Sequence, residues 1–202
     1  MQLIGYLDSP FVRRAAISAR FLGIEYEHRE ISIFREYEHF LSINPLVKVP
    51  TLILDDGSVL VDSTLIIDHL ETLAGRSLTP ADSGARTECL RVTGTALVAM
   101  EKVVSLIIET EQRPAELVHG PWIERLERQL ENAVRLLEAD VGNGESWLLG
   151  DAPTQADIST AVAWSFIQLK TPERIDAAGC PGLQAFTGRA EALPEFVACP
   201  IE

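Results

Sequence analysis

The sequence has few cysteines, few histidines and no long apolar run, and each shortage excludes a class of protein. Its three cysteines, Cys89, Cys180 and Cys199, form no CxxC pair, so we expect no disulfide framework and a reducing, cytoplasmic compartment. The four histidines are scattered, and none has metal-ligand spacing to a cysteine or another histidine, so we expect no metal site. No apolar stretch approaches the roughly 18 residues of a membrane span, and the N-terminus lacks the regions of a signal peptide.

Basic residues are also scarce. The chain has 17 Lys and Arg against 30 Asp and Glu, a net charge of −13. Nucleic acids and anionic membranes attract basic surfaces, so we expect neither to be a partner. The 47% hydrophobic content in 202 residues is enough for a packed core and argues against disorder. This length allows one large domain or two small ones.

The first 75 residues alternate between strand and helix patterns. Apolar runs, helix starts at Pro10 and Asp62-Ser63, and a turn signal at residues 55–57 separate the elements. We predict strands over residues 2–7, 25–31, 50–54 and 58–61, and helices over residues 10–22, 35–43 and 63–74. The order β-α-β-α-β-β-α predicts a four-stranded mixed sheet in an α+β domain.

The second half of the chain has helical patterns alone. Residues 77–84, within a stretch rich in Gly, Ser and Pro, are interpreted as a linker between a domain over residues 1–76 and another over residues 85–202. The apolar periodicity after the linker predicts helices over residues 85–112, 121–140, 154–170 and 181–193. We therefore expect an all-α bundle as the C-terminal domain.

Ser9-Pro10 is the first of three local patterns that suit chemistry. It stands where a predicted strand ends and a helix begins, so its side chain would lie at the positive end of a helix dipole. That position suits the stabilisation of a thiolate or another anion. An ordinary helix cap explains the same pair, because Ser at the N-cap and Pro at N1 are both common.

Val49-Pro50 and Asp62-Ser63 are the other two patterns. If the Val49-Pro50 bond is cis, the chain bends sharply, and the Val49 backbone can pair with a peptide-like ligand. The Ser63 hydroxyl and the first-turn N–H groups of its helix can hold a carboxylate, while Asp62 can hold an ammonium group. Helix capping again explains Asp62-Ser63 equally well.

Taken together, these patterns resemble the soluble glutathione transferase family over nearly the whole chain. "SPFVRR" resembles the serine-type active-site motif of that family, close to its tau-class form, and we identify the chain as a bacterial, serine-type member. "NPLVKVPTLIL" resembles the stretch that contains the family's cis-proline, here Pro50. "VLVDSTLIIDHLE" resembles its acidic-Ser motif, with Asp62 in place of the commoner Glu, and "WLLGDAPTQADISTAVA" resembles its C-terminal signature.

The resemblance implies a thioredoxin-like N-terminal domain, a helical C-terminal domain and a role for each matching residue. Ser9 would donate a hydrogen bond to the glutathione sulfur. Val49 would bind the cysteinyl backbone of glutathione through its own main chain. Asp62 and Ser63 would hold the γ-glutamyl end, and Lys48 would lie near the glycine carboxylate.

Two arginines receive weaker assignments. Arg35 could assist Lys48 at the glycine carboxylate. Arg13, one turn after Ser9, could add positive charge near the thiolate, although a solvated or ion-paired surface arginine is the simpler interpretation. No metal is required by this chemistry, and glutathione is the co-substrate.

The second substrate is expected to be a small apolar electrophile or an organic peroxide. We predict that its pocket lies between the domains and is lined by Phe11, Phe34, Met100 and Val104, although plain core packing would explain each of them. Ser-Pro-Phe-Val lacks both thiols of a Cys-Pro-aromatic-Cys motif, which excludes dithiol-disulfide exchange at this site.

Thr154 and Asp157 are assigned a structural role. They have capping-box spacing ahead of an apolar helix, with Asp157 in place of the usual Glu. The family resemblance indicates the same role, and it also makes Pro50 a structural residue.

Two other functions remain open. The first is a non-catalytic interaction protein of the same fold, as in the stringent starvation proteins. The second is a glutathione-dependent isomerase, as in the zeta class, although "DSPF" departs from the Ser-Ser-Cys motif of that class. The resemblance also implies a homodimer and a role in detoxification.

Overall fold

The computed structural model describes residues 1–201, which fall into two compact units. One unit comprises Met1–Leu78 together with the described residues from Leu193 onward, and the other comprises Thr79–Ala192. The sequence-based division left the end of the chain in the second domain, whereas the structure groups that end with the first unit.

The N-terminal unit is built on a four-stranded mixed sheet. Its elements are β1 (Gln2–Ile4), α1 (Pro10–Leu22), β2 (Glu27–Arg29), α2 (Tyr37–Ile43), β3 (Thr51–Ile53), β4 (Val59–Val61) and α3 (Ser63–Ala74). The strand order is β2-β1-β3-β4; β1 is parallel to β2 and antiparallel to β3, which is antiparallel to β4. The predicted thioredoxin-like order is confirmed.

Among the element boundaries that differ from those expected, two have clear local reasons. Strand β1 ends at Ile4 rather than at residue 7 because Gly5 has φ +131°, outside the extended conformation of a strand. Helix α2 begins at Tyr37 rather than at residue 35. The Ser32 hydroxyl accepts hydrogen bonds from the backbone N–H groups of Phe34 and Arg35, so this segment forms a separate turn.

Helix α1 has the bounds expected from its end signals. Ser9 is its N-cap, Pro10 is its first residue, and Gly23 ends it with φ 72°, a left-handed conformation that glycine adopts without steric penalty. Helix α1 packs against α3, and both helices contribute buried aliphatic residues, Ile17 and Ile66 among them. Another hydrophobic cluster of this unit consists of Ile4, Ile31 and Phe40, with Val49 packed against it.

The second unit is helical. Its long helices are α4 (Ser83–Ile107), α5 (Gly120–Val141), α6 (Gln155–Lys170) and α7 (Pro181–Glu191). The short helix α8 (Pro194–Val197) belongs to the first unit. The helix expected over residues 85–112 is α-helical only to Ile107, and a π-helical turn continues it over Ile108–Gln112. Helix α4 packs against α5 and α6, and helix α7 also packs against α5 and α6. The predicted all-α class of the second domain is confirmed.

Asp157 fixes the start of helix α6. Its Oδ2 accepts hydrogen bonds from the Thr154 backbone N–H at 2.8 Å and from the Thr154 hydroxyl at 2.6 Å. Its Oδ1 accepts one from the Leu148 N–H at 2.8 Å. The carboxylate thus joins the N-terminus of α6 to the preceding loop, and the structural role of both residues stays a prediction to be tested by substitution.

None of the helices within residues 1–201 combines the length and the apolar character that crossing a membrane requires. All three cysteines are free and buried.

Candidate active site

Ser9 lies at the N-terminus of α1 with its hydroxyl half-buried. Its backbone is extended, with φ −74° and ψ 119°. Its carbonyl accepts from the Arg13 N–H at 2.9 Å. The hydroxyl oxygen accepts from the Val12 N–H at 3.5 Å, the outer limit of a hydrogen bond. Because the hydroxyl is the acceptor in this weak contact, its own proton remains to be donated, at the positive end of the helix dipole.

Gly5 lies close to Val49 and to Val12, a residue in the first turn of α1. A Cβ at Gly5 would lie 2.6 Å from Val12 Cγ2 and 2.9 Å from Val49 Cγ1, closer than real Cβ atoms approach. Its φ of +131° is also one that only glycine adopts readily. The side chains of Val12, in the first turn of α1, and of Val49 therefore both lie against Gly5. The sequence pattern placed Gly5 inside a strand and gave no sign that two other segments approach it this closely.

The loop that carries Val49 is held by a buried polar network. The Val49-Pro50 peptide bond is cis. The Asn44 side chain donates to the Thr51 hydroxyl at 2.8 Å, and this hydroxyl donates to the Lys48 carbonyl at 2.6 Å. Asn44 and Thr51 are both buried, so these bonds are shielded from water.

Asp62 and Ser63 form the start of α3. Asp62 is the N-cap with φ 69°, uncommon for a residue other than glycine, and its Oδ1 accepts from the Thr64 N–H at 2.8 Å. Ser63 is buried and is the first helical residue. The capping that the sequence suggested is thus present. Asp62 itself is exposed, so its carboxylate is accessible to a ligand.

Arg14 links α1 to the start of α3, a contact that sequence reasoning missed. Its NH1 donates to the Ser63 hydroxyl at 2.8 Å and to the Thr64 hydroxyl at 3.2 Å. Burial lowers the pKa of Arg14 to about 10, while the charge of Asp62 acts in the opposite direction. The sequence feature that could have indicated a buried arginine is the pair of arginines inside the apolar pattern of α1.

Arg13 is not a surface residue. Its side chain is fully buried, its Nε donates to the Cys199 carbonyl at 2.8 Å, and its guanidinium carbon lies 5.7 Å from the Phe196 ring centroid. The expectation of a solvated or surface ion-paired arginine is therefore wrong. Arg13 instead anchors the C-terminal segment on α1.

The remaining assigned residues are less constrained. Lys48 is exposed beside Val49. Arg35 is exposed, and its guanidinium carbon lies 5.3 Å from the Tyr6 ring centroid. The residues assigned to the electrophile site differ widely in exposure: Phe34 is 69% exposed and Met100 is fully buried, while Phe11 and Val104 are partly buried. The electrophile pocket stays a prediction.

Helix α1 is the element that the candidate site residues share. Ser9 precedes it as the N-cap, its Val12 lies with Val49 against Gly5, and its Arg14 donates to Ser63 at the N-terminus of α3. The site thus has two helix N-termini, a hydroxyl with a free proton and an exposed carboxylate, a set suited to a zwitterionic peptide. Over residues 1–201, no group of three or more His, Cys, Asp or Glu side chains is placed to hold a metal ion.

Comparison with known families gives matches to both parts of the chain. A family model described as "Glutathione S-transferase, N-terminal domain" matches residues 3–78. A second, described as "Glutathione S-transferase, C-terminal domain", matches residues 120–189. Together the two matches cover more than half of the chain.

Individual relatives agree with these matches. The GST-like protein YibF of Escherichia coli is 26% identical, over 84% of this chain and 83% of its own length. The maleylacetoacetate isomerase of Pseudomonas aeruginosa is 27% identical, over 97% of this chain and 93% of its own length. The crystal structure of a glutathione S-transferase from Methylobacterium radiotolerans, in complex with glutathione sulfonate, superposes with a TM-score of 0.90 at 26% identity, covering 98% of this chain and 93% of that one.

Proposed function

Since the chain belongs to the glutathione S-transferase family, we propose that it transfers glutathione to small apolar electrophiles, with Ser9 as the residue that stabilises the thiolate. The observation that carries this proposal is that the three parts of the candidate site all lie near helix α1. Helix α1 presents the Ser9 hydroxyl at its N-terminus, its Val12 lies with Val49 against Gly5, and its Arg14 donates to Ser63 at the start of α3.

Glutathione would bind along these features from one end to the other. Asp62 would take the γ-glutamyl ammonium group, and the Ser63 terminus of α3 would take the α-carboxylate. The Val49 N–H and C=O would pair with the cysteinyl backbone as one strand pairs with another. Lys48 would lie at the glycine carboxylate, assisted by Arg35, whose guanidinium lies near the Tyr6 ring.

Ser9 would then act on the cysteine sulfur. A free thiol has a pKa of about 8.5, so the thiolate is a minor species at neutral pH. A hydrogen bond to a charged acceptor contributes about 1.5–3 kcal/mol, and the helix dipole adds about 0.3–1 kcal/mol. Since one pKa unit corresponds to about 1.4 kcal/mol, the two effects lower the thiol pKa by about one to two units.

The bound thiolate would react as a nucleophile in either of two ways. With an electrophilic carbon, sulfur forms the new C–S bond and the leaving group departs with the electron pair. With an organic peroxide, sulfur attacks one oxygen, the O–O bond breaks, and an alcohol and glutathione sulfenic acid form. A second glutathione then converts the sulfenic acid to glutathione disulfide and water, so the peroxide is reduced and the thiols are oxidised. Either reaction would serve detoxification, and the three free cysteines fit a cytoplasmic location.

Glutathione binding and turnover test this proposal together. We expect calorimetry to show saturable binding of glutathione, and we expect conjugation of 1-chloro-2,4-dinitrobenzene above the uncatalysed rate at pH 7. Binding without turnover of this compound or of cumene hydroperoxide would favour the non-catalytic interaction protein. Absence of glutathione binding would exclude the proposed function altogether.

A glutathione-dependent isomerase is the second candidate, because a maleylacetoacetate isomerase is 27% identical over 97% of this chain. In such a reaction the thiolate adds to a conjugated double bond, rotation follows, and elimination returns free glutathione. The fate of glutathione separates the two functions. Transfer consumes one glutathione for each product, whereas isomerisation of maleylacetoacetate leaves the thiol concentration unchanged.

We also propose that the protein is a homodimer. Helices α3 and α4 each expose large aliphatic side chains, with Leu65 62% and Val98 45% exposed, and exposed apolar surface of this kind favours association. Light scattering after size exclusion is expected to give twice the monomer mass of 22.2 kDa. The Val98→Glu variant should shift the protein toward the monomer, and a monomeric wild-type protein would contradict the proposal.

A further inference from the structure

Arg14 places a positive charge in the interior of the N-terminal unit. Its side chain is 1% exposed, and in the part of the chain that the structure describes its Nε has no hydrogen-bond partner. Its NH1 donates to two neutral hydroxyl oxygens, those of Ser63 and Thr64. Buried charges need an opposite charge and hydrogen bonds to offset the loss of hydration. The Asp62 carboxylate interacts with Arg14 electrostatically, but its Oδ1 is bonded to the Thr64 N–H.

The contact with Arg14 fixes the direction of two hydroxyl groups. A guanidinium can only donate, so the Ser63 and Thr64 oxygens accept, and the proton of each hydroxyl must point elsewhere. Both residues lie in the first turn of α3, a helix of 12 residues, whose N–H groups and dipole also favour negative charge. The helix terminus therefore presents hydroxyl and N–H donors backed by a buried cation.

We propose that Arg14 is a positioning residue that makes the N-terminus of α3 select a carboxylate over a neutral amide. It acts through the Ser63 and Thr64 hydroxyls and through its own charge, without contacting the ligand. Resting on the proposed function, the inference assigns this selectivity to the γ-glutamyl α-carboxylate of glutathione and adds Thr64 to the residues that bind it.

Asp62 completes the specificity. Its Oδ1 is occupied by the Thr64 N–H, so Oδ2 is the oxygen we assign to a ligand ammonium group. A carboxylate at the Arg14-supported hydroxyls and an ammonium group at Asp62 match the two charges that an α-amino acid carries on one carbon. These are the charges of the γ-glutamyl residue of glutathione, which is linked through its side chain and so keeps both groups free.

Ligand and protein substitutions combined test this inference. The ligands are S-methylglutathione and two of its analogues, one with the γ-glutamyl α-carboxylate and one with the glycine carboxylate replaced by a primary carboxamide. Calorimetry should show that the wild type prefers S-methylglutathione over the γ-glutamyl amide by about tenfold or more. In Arg14→Met this preference should fall to within about twofold. The preference at the glycine end should be the same in both proteins.

Arg13→Met is the matched control. Arg13 is the adjacent residue on the same helix and is equally buried, but its Nε holds the Cys199 carbonyl. Its substitution should lower the melting temperature and leave the carboxylate preference intact. Thr64→Val provides a second test at an exposed position, where loss of fold is not expected. Thr64→Val should reduce the preference for the γ-glutamyl α-carboxylate over its amide about threefold or more. If Arg14→Met does not fold, the result with Thr64→Val tests the inference by itself.

The outcomes separate the two proposals. A wild type that does not bind S-methylglutathione would contradict the proposed function, and the inference with it. A wild type that binds all three ligands alike would overturn the inference alone. So would Arg14→Met or Thr64→Val proteins that keep the wild-type preference for the γ-glutamyl carboxylate.

Discussion

The Ser9→Ala variant is expected to conjugate glutathione about 10- to 100-fold more slowly than the wild type at pH 7, since one hydrogen bond to a thiolate contributes about 1.5–3 kcal/mol. Its dissociation constant for glutathione, measured at about pH 6 where the bound glutathione is mostly neutral thiol, should change by less than about twofold, because the neutral thiol gains little from the hydroxyl. The measurement is steady-state conjugation of 1-chloro-2,4-dinitrobenzene, combined with calorimetry.

The pH profile of the same variant gives an independent readout. The Ser9 hydroxyl and the helix dipole stabilise the thiolate, so they lower the pKa of the bound thiol, and kcat rises with pH through that value. Without the hydroxyl the pKa returns toward about 8.5, so the rising limb of the profile should move up by about one unit or more. Activity lost at pH 7 should therefore be partly recovered at pH 9.

Ser9→Asp is the matched control, because Ser9 is also the N-cap of α1. Aspartate caps a helix as well as serine does, so this variant should melt close to the wild type. Its carboxylate cannot donate a hydrogen bond and repels a thiolate, so its turnover should be at least as low as that of Ser9→Ala. A fully active Ser9→Ala protein at pH 7 would reduce Ser9 to a helix cap.

Helix α1 shows which parts of the fold could be predicted from the sequence. Pro10 and Gly23 mark its two ends through local backbone chemistry, and the structure has it from Pro10 to Leu22. Strand β1 was predicted too long because an apolar run does not reveal where a glycine leaves the extended conformation, as Gly5 does. Boundaries set by signals within a few residues could be predicted from the sequence. Boundaries that depend on a neighbouring element could not.

The candidate site divides in the same way. Ser9, Val49 and the Asp62-Ser63 pair could be proposed because their order and local patterns resemble a known family. The roles of Gly5 and Arg14 were missed, because they depend on which residues the tertiary structure places beside them. Val12 and Val49 lie against Gly5, and the start of α3 lies against Arg14. An arginine usually lies at the surface, and this general tendency favoured the wrong environment for Arg13, which is buried.

Replacement of Asp157 by alanine is expected to cause the largest loss of stability, about 3 kcal/mol. The Asp157 carboxylate is 1% exposed and accepts from the Leu148 N–H, the Thr154 N–H and the Thr154 hydroxyl. Each donor left without a partner in a buried environment costs about 1–3 kcal/mol. At about 2–4 °C for each kcal/mol in a chain of this size, the midpoint of thermal unfolding should fall by about 6–12 °C.

Asp151→Ala distinguishes this network from a general loss of charge. Asp151 is an exposed carboxylate in the same loop, and its removal should change the melting temperature by less than about 2 °C. Asp157→Asn should lie between the two variants, because its single carbonyl oxygen can accept from one or two donors while its NH₂ group faces the third. Below its melting transition, Asp157→Ala should still bind glutathione, since every proposed glutathione contact belongs to the N-terminal unit. An unchanged melting temperature in Asp157→Ala would show that the three hydrogen bonds do not stabilise the start of α6.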